Sequence, residues 1–156
     1  MTMSVNLLSQ LRHQTRGSVV IETAIVAPIL ILLSLGTFDA GRMVARQNEL
    51  QGAAAEAEAI VQAAVPTDSG ARDEVRNALL ASLNPGNAHP STTVSVAEIY
   101  RCTTNADFVT ANNCADTAQM STFIKITLTD RYTPQWTSFG IGGPVNYRVV
   151  RMVQTS

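Results

Sequence analysis

Apolar and polar positions are spread unevenly along this chain. Between Val19 and Phe38 nearly every residue is apolar, and Glu22 is the one formal charge. About 20 residues at about 1.5 Å each predict a helix of roughly 30 Å, the thickness of a hydrocarbon core. Pro28 lies in its first half, where a missing backbone donor kinks or loosens a helix in a way membrane segments tolerate.

The helical pattern continues beyond the apolar run. Asp39 to Ala64 is rich in alanine and contains no proline, and Met43, Leu50, Ala54, Ala57, Val61 and Ala64 recur at spacings of three, four and seven. That period marks one helix face. Its small residues allow close approach, either of a neighbouring subunit or of this chain's own globular part. Taken together, Ser18 to Ala64 predict one helix of roughly 70 Å. Pro66-Thr67-Asp68-Ser69-Gly70 breaks it. Asp68 or Ser69 is placed to cap a second helix over residues 71–83, with Val75, Leu79, Leu80 and Leu83 on one face and Asp73 and Glu74 in the first turn. Asn84-Pro85-Gly86-Asn87 then reads as a turn. Period-two alternation predicts strands over Thr92–Tyr100, Thr122–Thr129 and Val145–Val153. The fold class is therefore α+β: a long N-terminal helix, transmembrane then amphipathic, a short second helix, and a small antiparallel sheet of about three strands. The chain divides into a leader (1–17), the long helix (18–65) and an α+β domain (66–156). Trp136 reads as a core or edge anchor.

Charge adds an orientation. The net charge is −1, so nothing points to a nucleic-acid partner. Arg12 and Arg16 precede the apolar run with no acid among them, whereas Arg42 and Arg46 follow it beside Asp39 and Glu49. The basic count is a tie. A short leader cannot hold a folded domain, so the N-terminus is placed inside and the C-terminal domain outside. A secretory signal peptide competes, with Ser34-Leu35-Gly36 as a small-x-small site, but the run is long for one and holds Glu22 and Pro28.

The two cysteines, Cys102 and Cys114, lie in the polar half. As a disulfide outside the cytoplasm they would close a loop, contributing about 3 kcal/mol; the alternative is two unpaired thiols. A metal site is poorly supported, because His89 is the one further soft ligand and zinc takes four. With His13 in the leader, His89 is also the only histidine left for an active site. No nucleophile set or phosphate-cradling loop is present, since Gly140-Ile141-Gly142-Gly143 precedes a strand rather than a helix. The sequence thus gives no catalytic residue, cofactor, metal or small-molecule substrate.

Arg16-Gly17-Ser18-Val19-Val20-Ile21-Glu22, followed by Ala24-Ile25-Val26-Ala27-Pro28 and an Ile/Leu run, resembles the N-terminal segment of TadE-like proteins. These are minor pilins or pseudopilins of bacterial tight-adherence (Flp pilus) assembly systems. Asp39-Ala40-Gly41-Arg42 and the helix after it look alike too, so the resemblance covers about residues 15–62. It implies cleavage by a prepilin peptidase between Gly17 and Ser18. Ser18 becomes the first mature residue, and the Glu22 carboxylate pairs with the Ser18 amine of an adjoining subunit. Where the family often has an aromatic after that glutamate, this chain has Thr23. The implied partners are inner-membrane lipid, the peptidase, and other pilin and pilus-assembly subunits. The implied location is the bacterial inner membrane, single-pass, N-terminus cytoplasmic and C-terminal domain periplasmic or extracellular, with incorporation in a surface pilus as the further option.

Overall fold

The computed structural model describes residues 15–103, 107–112, 114 and 120–155, and of 15–18 the backbone alone. Most of the expected leader therefore lies outside the described residues. The elements run α1 (Thr15–Ala64), α2 (Ser69–Leu83), β1 (Thr93–Cys102), β2 (Phe108–Val109), β3 (Met120–Tyr132) and β4 (Val145–Gln154). This is the α+β architecture that the change from helical to period-two spacing predicts. The chain divides within α1 into two compact units, Met1–Gly41 and Arg42–Ser156.

In the first unit α1 continues through Pro28 as one helix. The large apolar side chains from Val19 to Phe38 are exposed, Val20 and Ile21 by 68% and 64%. The hydroxyls in this stretch bond back to the helix itself. Thr23 Oγ1 donates to Val19 O at 2.8 Å, Ser34 Oγ to Leu30 O at 2.8 Å and Thr37 Oγ1 to Ser34 O at 2.9 Å. A helix that satisfies its own backbone and hydroxyl groups is what a hydrocarbon surrounding requires.

The second unit holds an antiparallel sheet in the order β2-β1-β3-β4. Val94 faces Leu128 and Val96 faces Ile126 across β1 and β3; Leu128 faces Val149 and Ile124 faces Val153 across β3 and β4. Directly opposed residues share a face, so one side of the sheet presents Val94, Ile124, Ile126, Leu128, Tyr147, Val149 and Val153. These join Leu50, Ala54, Ala57 and Val61 of α1 and Leu79 and Leu83 of α2 in a single core. The small-residue stripe of α1 is thus spent on the chain's own sheet, where its four central members are fully buried. Ala64, expected on that stripe, is exposed. It is the last residue of α1, and the chain turns away at Val65, whose φ is 41°.

Asp68 caps α2, its side chain accepting from the Ala71 N–H at 2.9 Å. The helix therefore starts at Ser69, two residues before the predicted position, and Asp73 and Glu74 fall in its second turn. The remaining difference is β2. This two-residue strand, in the cysteine-bearing segment between β1 and β3, pairs with Tyr100 and Arg101 of β1. Cys102 and Cys114 are joined there, with Cα atoms 5.7 Å apart, an ordinary disulfide spacing. The Phe108 ring meets Phe123 of β3 edge-on, centroids 5.2 Å apart, which holds the closed loop against the outer sheet face. Trp136 is half-buried in a 3-10 turn between β3 and β4.

Candidate functional site

Two arrangements of charge stand out, one in each unit. In the first, Gly17 and Ser18 belong to the first turn of α1, where backbone N–H groups have no intrahelical acceptor. Glu22 follows one turn later, is exposed, and lines a shallow groove with Val19, Thr23, Val26, Ala27 and Leu30. These positions, spaced by three and four, form one helix face. The small Thr23 and Ala27 beside the carboxylate make a notch that a neighbouring helix can enter.

The second arrangement was not read from the sequence. Arg46 projects from α1 into the second unit's interior and is 5% exposed. Its Nε donates to Asp130 Oδ2 at 2.7 Å, Nη2 to Thr92 Oγ1 at 2.7 Å, and Nη1 to Glu49 Oε2 at 2.8 Å and Leu83 O at 3.2 Å. One guanidinium thereby ties α1 to the end of α2, the start of β1 and the end of β3. Asp130 Oδ1 accepts from Ser91 Oγ at 2.7 Å and from the Arg131 N–H at 2.8 Å. Among the described residues no buried side-chain nitrogen or oxygen lacks a partner. Buried charges persist only when paired and hydrogen-bonded in this way. The signal was present in both patterns. Arg46 lies between Met43 and Leu50 on the buried stripe, and Asp130 continues the inward row of Ile124, Ile126 and Leu128.

Burial works against the charged form of Asp130. The Ser91 hydroxyl, the Arg46 guanidinium and the Arg131 N–H outweigh it and hold the carboxyl below the usual range. Burial likewise opposes the Arg46 cation, and the bonds to Glu49 and Asp130 overcome it, so its pKa rises. For Asp130 a depressed folded-state pKa means stability that is complete above the unfolded value of about 3.9 and lost as pH falls through the lower folded value. The urea midpoint of the detergent-solubilised chain should thus hold its Asp130 share down to about pH 5 and fall below about pH 4. Asp130→Asn should start lower at pH 7 and lose less on acidification. Equal acid-induced losses in both proteins would remove Asp130 from this role.

Chemically, the node is saturated and holds its own partners rather than a ligand. No cluster of three or more His, Cys, Asp and Glu suited to a metal occurs among the described residues. Glu22 belongs to the first unit, and the cysteines belong to the second unit's sheet edge.

Among the described residues there is therefore one helix long and apolar enough to cross a membrane, near the N-terminus, followed by an α+β unit. Residues 17–58 match the family model described as TadE-like protein. The match begins at Gly17, takes in Glu22 and runs through Arg46 and the first three buried small-stripe positions to Glu58. No curated protein and no solved structure matches the chain.

Proposed function

We propose that this protein is a minor-pilin-like subunit, anchored in the bacterial inner membrane, that takes part in assembling a tight-adherence (Flp-type) pilus. The observation carrying this reading is the TadE-like match that starts at Gly17, with Glu22 as the lone charge in the apolar run behind it. The N-terminus is cytoplasmic, and residues 66–156 form the periplasmic domain. A prepilin peptidase removes residues 1–17, cutting in the first helical turn, where backbone bonds are weakest. The new Ser18 amine stands at a helix N-terminus, where positive charge is already concentrated. Glu22 of an incoming copy, exposed beside the Thr23/Ala27 notch, supplies the carboxylate that this amine lacks. Its partners are lipid, the peptidase and other pilin and assembly subunits.

Thr23 favours a second reading, in which the chain stays uncut as a bitopic anchor and its periplasmic domain binds envelope components. Its hydroxyl is turned back to Val19 O, and no aromatic follows Glu22. The two readings separate on Gly17. A bulky residue such as Gly17→Val should leave a precursor heavier by about 1.9 kDa, at roughly 110 Da per leader residue. Equal masses for the variant and the parent, measured on protein from the native host, favour the anchor.

A further inference from the structure

The β3–β4 loop is the least explained surface of the second unit. Residues 133–144 contain no charged side chain and hold the chain's only tryptophan. Phe139 and Ile141, at its tip, are 64% and 63% exposed. The exposure is built in rather than incidental. Thr137 Oγ1 donates to Pro134 O at 2.7 Å, the Gly140 N–H to Thr137 O at 3.0 Å and the Ile141 N–H to Trp136 O at 3.4 Å. Gly140 has φ 75° and Gly142 φ 69°, a backbone shape that other residues rarely adopt. The backbone at the two glycines thus presents Phe139 and Ile141 outward on a fixed frame.

The position of the loop within its unit says what it meets. It leaves the sheet at Tyr132 and returns at Val145, which are paired to each other. The same sheet end receives the first turn of this unit's share of α1: the Arg42 guanidinium lies over the Tyr132 ring at 5.7 Å, and Tyr147 Oη donates to Met43 O at 3.2 Å. Only residues 39–41 separate Arg42 from Phe38, the last residue of the apolar run. Even fully extended, those steps reach about 14 Å. Whatever the angle between the units, the end of the second unit that bears the loop is tethered close to the bilayer surface. One open hollow at that end is lined by Arg42, Arg46 and Arg131 against Glu49 and Asp130, with His89 beside them, a net positive surface suited to lipid phosphate.

We propose that the β3–β4 loop is a membrane-surface anchor, with Phe139 and Ile141 entering the headgroup–acyl boundary and Arg42 and Arg131 facing lipid phosphates. It rests on the reading of α1 as a membrane span, not on the pilus role.

Trp136, as the only tryptophan, reports on the loop directly. The full chain is reconstituted into phosphatidylcholine–phosphatidylglycerol vesicles, with or without bromine at acyl positions 6 and 7, and vesicle flotation is scored in parallel. The emission of Trp136 should be roughly halved by the brominated lipid, as for a ring within about 10 Å of the headgroup–acyl boundary. The double variant Phe139→Asp, Ile141→Asp should float equally well and lose the quenching. Flotation of the parent without quenching overturns the proposal and points to another copy or a protein partner as the occupant. Equal quenching in the double variant also overturns it. Failure to float at all overturns the span reading and this proposal with it.

Discussion

Glu22→Ala is expected to abolish filament assembly while leaving the protein in the membrane fraction. An ionisable group in a membrane helix is unfavourable by roughly 2.5–3.5 kcal/mol at the centre for Asp, Lys or Arg, and by less near an end. Glu22 lies near the start of the apolar run, so its removal does not harm insertion and slightly favours it. Assembly is different. Two unit charges about 4 Å apart attract by about 4 kcal/mol at an effective dielectric constant of 20, against about 1 kcal/mol in water. Under the proposed pairing, a subunit lacking the carboxylate would leave its neighbour's Ser18 amine unpaired, which would add a desolvation cost to the lost attraction. Glu22→Gln should fail nearly as badly, because it keeps size and hydrogen bonding but not charge. Sheared surface fractions and carbonate-washed membranes, blotted for the protein, measure the two effects separately. Normal filaments from Glu22→Ala would end the charge-pairing mechanism.

Arg46→Ala is expected to be the most damaging substitution in the second unit. It leaves Asp130, whose side chain is 2% exposed, buried without its counter-charge, and it also strips a donor from Thr92 and from the carbonyl of Leu83. Breaking a buried pair from one side costs about 3–5 kcal/mol, which lowers the melting temperature of a unit this size by on the order of 10–20 °C. Arg46→Lys should recover only part of the loss, since an ammonium cannot reproduce the planar fork that reaches α2, β1 and β3 at once. Arg46→Met combined with Asp130→Leu should recover more, because no charge is then left alone. Thermal unfolding followed by near-ultraviolet circular dichroism tests the series. An Arg46→Ala protein within about 1 kcal/mol of the parent would show that the pair is not what holds these elements together.

The contrast between what the sequence did and did not disclose has a physical basis. The apolar run, the α1 stripe and the three long strands were legible because burial repeats along them at fixed periods of 3.6 or 2. Elements ending in special local chemistry were less so. The start of α2 depended on whether Asp68 or Ser69 supplied the cap, and Asp68 did. The strand β2 has only two residues, too few for alternation to register; it pairs with β1 beside the Cys102–Cys114 disulfide, and its Phe108 ring packs on Phe123 of β3. The Arg46–Asp130 pair was hidden for another reason. The two residues are 84 positions apart, and no local pattern says which inward-facing charges will meet. The exposure of Phe139 and Ile141 was likewise invisible to hydropathy, which marks residues as apolar but not as uncovered.

The most direct test of the central claim is the first residue of the chain recovered from its native host, read by N-terminal sequencing or intact mass from both inner membranes and sheared surface appendages. A mature terminus at Ser18, in chains found with the appendages, is the predicted result. A chain that begins at Met1 and is confined to the membrane would contradict it.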